Sequence, residues 1–179
     1  TTESLAQSTR SCEDIYDPNP PLHASFQEDR MADVMPSGTR SALMARIRGK
    51  DTGPERQMRS LLWRSGLRFR LHAKALPGKP DIVLRRWKTV VLVHGCFWHG
   101  HGCHLFKWPS TRPEFWKAKI ERNREVDAVA ETKLKAAKWR LATVWECALK
   151  GSKKRRLCDV VDQLEGWLKA NDPGIEIRG

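Results

Sequence analysis

Polar Thr39 and Ser41 precede Leu43, Met44 and Ile47, which are spaced along one face of a short helix with a capping hydroxyl at its start. Lys50-Asp-Thr-Gly-Pro54 breaks that pattern. Asp51 or Thr52 can cap a second helix, with Pro54 near its start, Met58, Leu61 and Leu62 as its apolar stripe and Gly66 as its stop. Leu67-Arg-Phe-Arg-Leu71 alternates as a half-buried strand does. After the turn at Pro77-Gly-Lys-Pro80, Asp81-Ile-Val-Leu84 and Thr89-Val-Val-Leu-Val93 read as paired strands joined near Trp87. The second is almost wholly apolar, so it belongs at the centre of a sheet.

From Thr111-Arg-Pro-Glu-Phe115 to about Lys138 the chain is helical and heavily charged. Ile120, Val126, Val129 and Leu134 are the expected inner face, and a break is expected near Arg122-Asn-Arg124. Arg140-Leu-Ala-Thr-Val-Trp145 reads as another strand, ending at Glu146-Cys147. A last helix carries Leu157, Val160, Val161, Leu164, Trp167 and Leu168. The order α-α-β-β-β-α-β-α predicts an α/β fold with a mixed sheet flanked by helices.

Composition narrows the partners. The chain has 179 residues and a formal charge of +12. Residues 1–30 hold six acids against two bases, a net of −4, which leaves +16 on the rest. A compact basic domain favours polyanions. Residues 1–30, with Pro18-Asn-Pro-Pro21, read as an acidic, disordered tail, and 31–179 as one domain. No apolar run is long enough to cross a bilayer and no secretory signal is visible, so a cytoplasmic location is the simplest reading. Five cysteines, an odd number, argue against a disulfide framework.

Chemistry concentrates where the central strand ends, in His94-Gly-Cys-Phe-Trp-His-Gly-His-Gly-Cys-His104. Thiolates and imidazoles together suit zinc. Cys96, His101 and Cys103 are close in sequence, and Cys147 arrives from the end of a neighbouring strand. His99 or His104 can replace His101, and Cys147 can instead be a buried thiol. Four protein ligands would make the site structural, holding a glycine-rich loop that otherwise has little to hold it. His94 and His99 flank the strand end and are free to move protons. Phe97 and Trp98 offer flat surfaces for a base.

Pro80-Asp81 opens a strand, as a magnesium-binding carboxylate does in many nucleases. The acid and lysine that normally follow on the next strand are absent, so Asp81 alone says little. A main-chain carbonyl near Val93 can supply the missing ligand. Glu55 can orient a histidine or a metal-bound water, or simply favour a helix N-terminus.

These runs resemble the very short patch repair endonucleases over roughly residues 31–168. The matching stretches are Met31-Ala-Asp-Val34, Thr39-Arg-Ser41, Leu76-Pro-Gly-Lys-Pro-Asp81, His94-Gly-Cys-Phe-Trp-His99, Leu105-Phe-Lys107, Thr111-Arg-Pro-Glu-Phe-Trp116 and Val144-Trp-Glu-Cys-Ala-Leu149. The resemblance implies a restriction-endonuclease-like fold with a structural zinc. It implies a magnesium-dependent nick in one strand, 5′ of the thymine in a T·G mismatch left by deamination of 5-methylcytosine, made by a monomer on double-stranded DNA. It places the metal-binding aspartate on Asp81, catalytic histidines on His94 and His99, and a helical glutamate on Glu55. The zinc ligands fall on Cys96, His101, Cys103 and Cys147. Phe97, Trp98 and Trp116 become wedge aromatics, with Met44 and Ile47 approaching from the minor groove. Val93 replaces the family's usual threonine, and Gly100 and Gly102 are expected to loosen the loop. A restriction-type nuclease on unmismatched or modified DNA, or a zinc-stabilised module that binds without cutting, are the competing functions.

Overall fold

The structure, a computed structural model, describes residues 50–170 and 172–179. The expected acidic tail and the expected helix carrying Met44 and Ile47 lie outside the described residues. Helix α1 (Gly53–Arg64) starts at Thr52, whose Oγ1 accepts the Glu55 N–H. It stops as its glycine predicts. Gly66, at φ 78°, sends its N–H to Trp63, and Leu67 bonds back to Leu62, the pattern of a Schellman cap.

Four further strands and three further helices follow β1 (Arg70–Leu71): β2 (Ile82–Leu84), β3 (Thr89–His94), α2 (Pro113–Ala136), β4 (Arg140–Trp145), the one-turn α3 (Glu146–Leu149), α4 (Leu157–Lys169) and β5 (Gly174–Ile177). The sheet order is β1-β2-β3-β4-β5. The β1–β2 and β2–β3 pairs are antiparallel, while β3–β4 and β4–β5 are parallel. The expected mixed sheet is therefore present, with β3 at its centre.

Strand alternation divides the side chains between two faces. Val91, Val93, Ala142 and Val144 pack with Met58, Leu61 and Leu62 of α1 and Val160, Val161, Leu164 and Leu168 of α4. Val83, Val90 and Leu141 pack with Leu134 of α2 on the other face. His94 has the parity of Val90, so it emerges on the α2 side, at the carboxyl end of β3. Register sets His94 beside Trp145 of β4, so both strands deliver aromatic side chains to one place.

Several expectations need correction. Helix α2 runs unbroken through Arg122-Asn-Arg124. Of its expected inner face Ile120 and Leu134 are buried, with Trp116, Asn123, Asp127 and Ala130 half-buried on the same stripe, whereas Val126 and Val129 are about half exposed (52% and 53%). Hydrophobicity alone points to Val126 and Val129, but the inner face follows position around the helix. The strand expected over Leu67–Leu71 pairs only at Arg70–Leu71, against Val83 and Ile82. Strand β5 had no counterpart in the sequence reading. Gly-Ile-Glu-Ile is short and half charged or flexible, and parallel pairing with β4 is what orders it.

Candidate functional site: a histidine pair beside a thiol cluster

Two donor clusters form at the carboxyl ends of β3 and β4. In the first, one donor atom from each of Cys96, His101, Cys103 and Cys147 lies within 4.8 Å of the others. His101 Nδ1 stands 3.6 Å from Sγ of both Cys96 and Cys147. The set chosen from sequence is thus brought together, with His101 rather than His99 or His104, and it can hold a metal ion. Parallel pairing of β3 with β4 carries Cys147 to the loop, on the single turn of α3. Burial holds the Cys96 and Cys147 thiols up and the His101 imidazole down from their ordinary values, so all three favour their uncharged forms without a cation. A bound cation would reverse that for the thiols.

The loop does not depend on this cluster alone. Cys96 N–H donates to Glu146 Oε2 at 3.0 Å, Asn123 Nδ2 donates to the Trp98 carbonyl at 2.8 Å, and Arg124 Nε donates to the His99 carbonyl at 2.9 Å. Gly100 tightens the loop instead of loosening it. Its carbonyl accepts a second Arg124 bond, its φ is 61°, and a Cβ there would stand 2.7 Å from Ile120.

The second cluster is His94, His99 and Asp127. The two imidazoles stack, with centroids 4.0 Å apart and planes within 2° of parallel. His99 Nδ1 meets Asp127 Oδ2 at 2.5 Å. With Nδ1–H committed to that carboxylate, the Nε2 of a neutral His99 carries the lone pair. His94 is 9% exposed, and burial first, then the neighbouring His99, pulls its pKa down to about 4. It is a neutral ring at neutral pH, able to donate or accept one hydrogen bond at each nitrogen.

Trp145 joins the clusters. Its indole stacks on His101 at 4.0 Å and 11°, and meets His94 edge-on at 5.3 Å and His99 at 6.3 Å. Its Nε1–H donates to Glu176 of β5.

Asp81 sits just before β2 and accepts the Val93 N–H at 2.9 Å. Burial raises its pKa; the Val93 bond opposes this and the Glu55 carboxylate adds to it. Among the described residues, Asp81 is in none of the three clusters of close donor atoms. The next residue, Ile82, pairs with Val91, three residues before His94.

Glu55, 4% exposed, is committed to its helix. Thr52 Oγ1 donates to Oε1 at 3.0 Å, while Asp51 N–H at 3.0 Å and Arg59 Nη2 at 2.8 Å donate to Oε2. This is a capping box with an internal cation, which favours the helix-terminus reading of Glu55. Arg59 also pairs with Asp51 and lies 3.2 Å from His72 Nε2. The close trio of Asp51, Glu55 and His72 therefore encloses a guanidinium.

The expected wedge residues also meet. Phe97 lies 5.3 Å from Trp98 and 5.2 Å from Trp116, and Trp98 lies 6.0 Å from Trp116, all at steep angles. All three are half-buried beside the histidine pair.

Asp127, Asn123, Arg124, Trp145 and Glu176 escaped the sequence reading. Asp127 and Asn123 had a signal: each sits on the Trp116–Ile120–Leu134 stripe, where a polar residue needs a buried partner. Trp145 had only its place at a strand end, and Glu176 had none.

No helix among the described residues is long and apolar enough to cross a membrane. Residues 32–105 match the family described as DNA mismatch endonuclease Vsr. The chain is 45% identical over 147 residues to the DNA mismatch endonuclease Vsr of Escherichia coli, covering 82% of this chain and 94% of that one. It is 47% identical over 134 residues to the Type II nicking enzyme V.XorIIP of Xanthomonas oryzae pv. oryzae, covering 74% of this chain and 98% of that protein. A second nicking enzyme, V.NmeAIP of Neisseria meningitidis, is 43% identical over 120 residues, or 67% of this chain and 86% of its own. With nearly the full length of these enzymes matched, this chain belongs to the Vsr family of DNA endonucleases.

Proposed function

We propose that this chain nicks one strand of double-stranded DNA, 5′ of the thymine in a T·G mismatch produced by deamination of 5-methylcytosine. The observation that carries the reading is the stacked pair of imidazoles, one braced by a carboxylate, beside a half-buried aromatic trio at the end of the central strand.

Asp81 and the main-chain carbonyl of Val93 are the groups that would hold magnesium, which supplies Lewis-acid stabilisation of charge on the scissile phosphate. The desolvated Asp81 carboxylate, raised in pKa and bonded to the Val93 N–H, suits a divalent cation. His99 accepts a proton from water at Nε2, and Asp127 stabilises the imidazolium that results. Neutral His94, stacked on that ring, offers a hydrogen bond to a phosphate or leaving oxygen. Glu55 keeps the start of α1 in place beside Asp81.

The thiol cluster fits zinc. Tetrahedral zinc with sulfur and nitrogen at their usual bond lengths separates them by about 3.6 Å, and both measured sulfur–nitrogen distances are 3.6 Å. Four protein ligands leave no open position, so that ion is structural.

Phe97, Trp98 and Trp116 enter the stack beside the mismatch, with Met44 and Ile47 opposite. A mismatched step costs less to open than a paired one, so part of the selectivity is deformation energy. Every group needed comes from one chain, which then acts as a monomer on DNA.

The test compares matched oligonucleotides carrying T·G or T·A in magnesium, with products mapped by mass. A nick confined to the T·G duplex, 5′ of the thymine, is expected. Equal cutting of both duplexes would make the chain a nuclease for ordinary or modified DNA. Binding without any cut would make it a non-cleaving module.

A further inference from the structure

The aromatic trio does not end at Trp116 and Phe97. Phe106 lies 6.3 Å from Phe97, and Trp108 meets Phe106 edge-to-face at 5.0 Å and 81°. On the other side Phe115 meets Trp116 at 5.3 Å and 79°. The result is one continuous run of rings whose interior members are half-buried and whose two ends are open. Trp108 is 56% exposed and Phe115 49%.

A single exposed indole is ordinary, but one that ends a continuous run of rings extends an apolar surface of the kind that marks interaction sites. Trp63 is equally exposed, but the Arg68 guanidinium lies 4.1 Å from its ring and Phe69 packs on its edge. Among the described residues Trp108 has one aromatic ring neighbour, Phe106, and no stacked cation. Its surroundings are basic: residues 105–119 contain Lys107, Arg112, Lys117 and Lys119 against the single acid Glu114. The Arg112 guanidinium lies 5.1 Å from the Phe115 ring. Open aromatic faces with interleaved cations are how proteins hold unpaired nucleotides, rings taking the bases and cations the phosphates.

We propose that Trp108 is a second stacking platform, which receives a nucleobase of the bound DNA displaced when the Phe97–Trp98–Trp116 wedge opens the duplex. Lys107 lies against the adjoining phosphate. The ring-to-ring path from Phe97 to Trp108 is no longer than about 11 Å, roughly three base steps of 3.4 Å. A base unstacked next to the wedge is within that reach. An opened step then has somewhere to put its base, so the protein stabilises the distorted duplex on both sides of the break. The inference rests on the proposed action on DNA but assigns a residue outside the wedge itself.

Fluorescent 2-aminopurine, placed in turn at each of the three positions on either side of a T·G or T·A pair, reports stacking directly. The full chain is bound to each duplex with calcium in place of magnesium. Wild-type protein is expected to quench one flanking position. Trp108→Ala should restore that signal and weaken binding about tenfold, while Trp108→Phe keeps most of both. Lys107→Ala should instead lower the salt dependence of binding by about one phosphate contact. Thermal melting of Trp108→Ala should match wild type, because the side chain lies outside the core. If Trp108→Ala binds and quenches as wild type does on every duplex, the platform is refuted. If wild type treats T·G and T·A alike, the mismatch reading fails, and the Trp108-dependent quench still decides the platform.

Discussion

His99 and Asp127 are 28 residues apart in the chain and 2.5 Å apart at Nδ1 and Oδ2. The carboxylate fixes the ring plane and selects the tautomer. Asp127→Asn keeps the size of the side chain but can present an N–H to Nδ1, favouring the wrong tautomer. Nicking should fall by about 10²-fold or more, with DNA affinity and melting temperature nearly unchanged. Retention of full turnover would remove Asp127 from the mechanism.

The Asp81 carboxylate costs stability in the metal-free protein. Burial raises its folded pKa above the ordinary 3.8. An acid with a raised folded pKa destabilises the fold at pH above that value. As pH falls through the folded pKa toward 3.8, the folded state takes up its proton first and the penalty disappears. Asp81→Asn still accepts the Val93 N–H but carries no charge. It should melt higher than wild type at pH 7, with the gain shrinking as pH drops toward 4, and should not nick DNA. Melting curves across pH, without divalent cations, check this; a lower melting temperature at pH 7 would contradict it.

Removing a thiol ligand should cost both metal and fold. Cys147→Ala leaves three donors where four meet. Zinc content per chain should drop, and the melting temperature should fall on the order of 10 °C. Chelation of the wild-type protein should reproduce the shift, and should leave Cys147→Ala almost unaffected. Glu146, Asn123 and Arg124 hold the same loop, so the rest of the sheet should keep its circular dichroism.

Asn123 holds the loop through the Trp98 backbone carbonyl, a bond that does not depend on the indole packed against Phe97 and Trp116. Trp98→Ala should therefore leave the loop in place and affect the bound DNA step. Discrimination between T·G and T·A, read as the ratio of nicking rates, should fall about tenfold or more, while affinity for T·A duplex changes little. Equal losses on both duplexes would mean that the ring only packs against Phe97 and Trp116.

Patterning made the framework legible. A hydroxyl cap, a terminal glycine and apolar spacing located α1 and α4, and a run of valines marked β3 as central. The thiol cluster was equally readable, because scarce residues gathered at one strand end and a parallel neighbour had to deliver the fourth. Asp127 was hidden because the charged helix was read by its hydrophobic residues, two of which face outward. The role of Glu55 turns on neighbours, Thr52 and Arg59, whose bonds exist only once α1 is wound. Trp145 and Glu176 act across strands, and β5 exists only by pairing, so no local pattern announced them.

The rung that sets His94 opposite Trp145 has a safety consequence. Sliding β4 by one residue would turn the indole to the α1 side, taking the support from His101 and from both stacked imidazoles together. A chain that misassembles its sheet thus loses the support of its thiol cluster and of its histidine cluster in one step. For a DNA endonuclease that cuts through those histidines, faulty copies would be inert rather than indiscriminate.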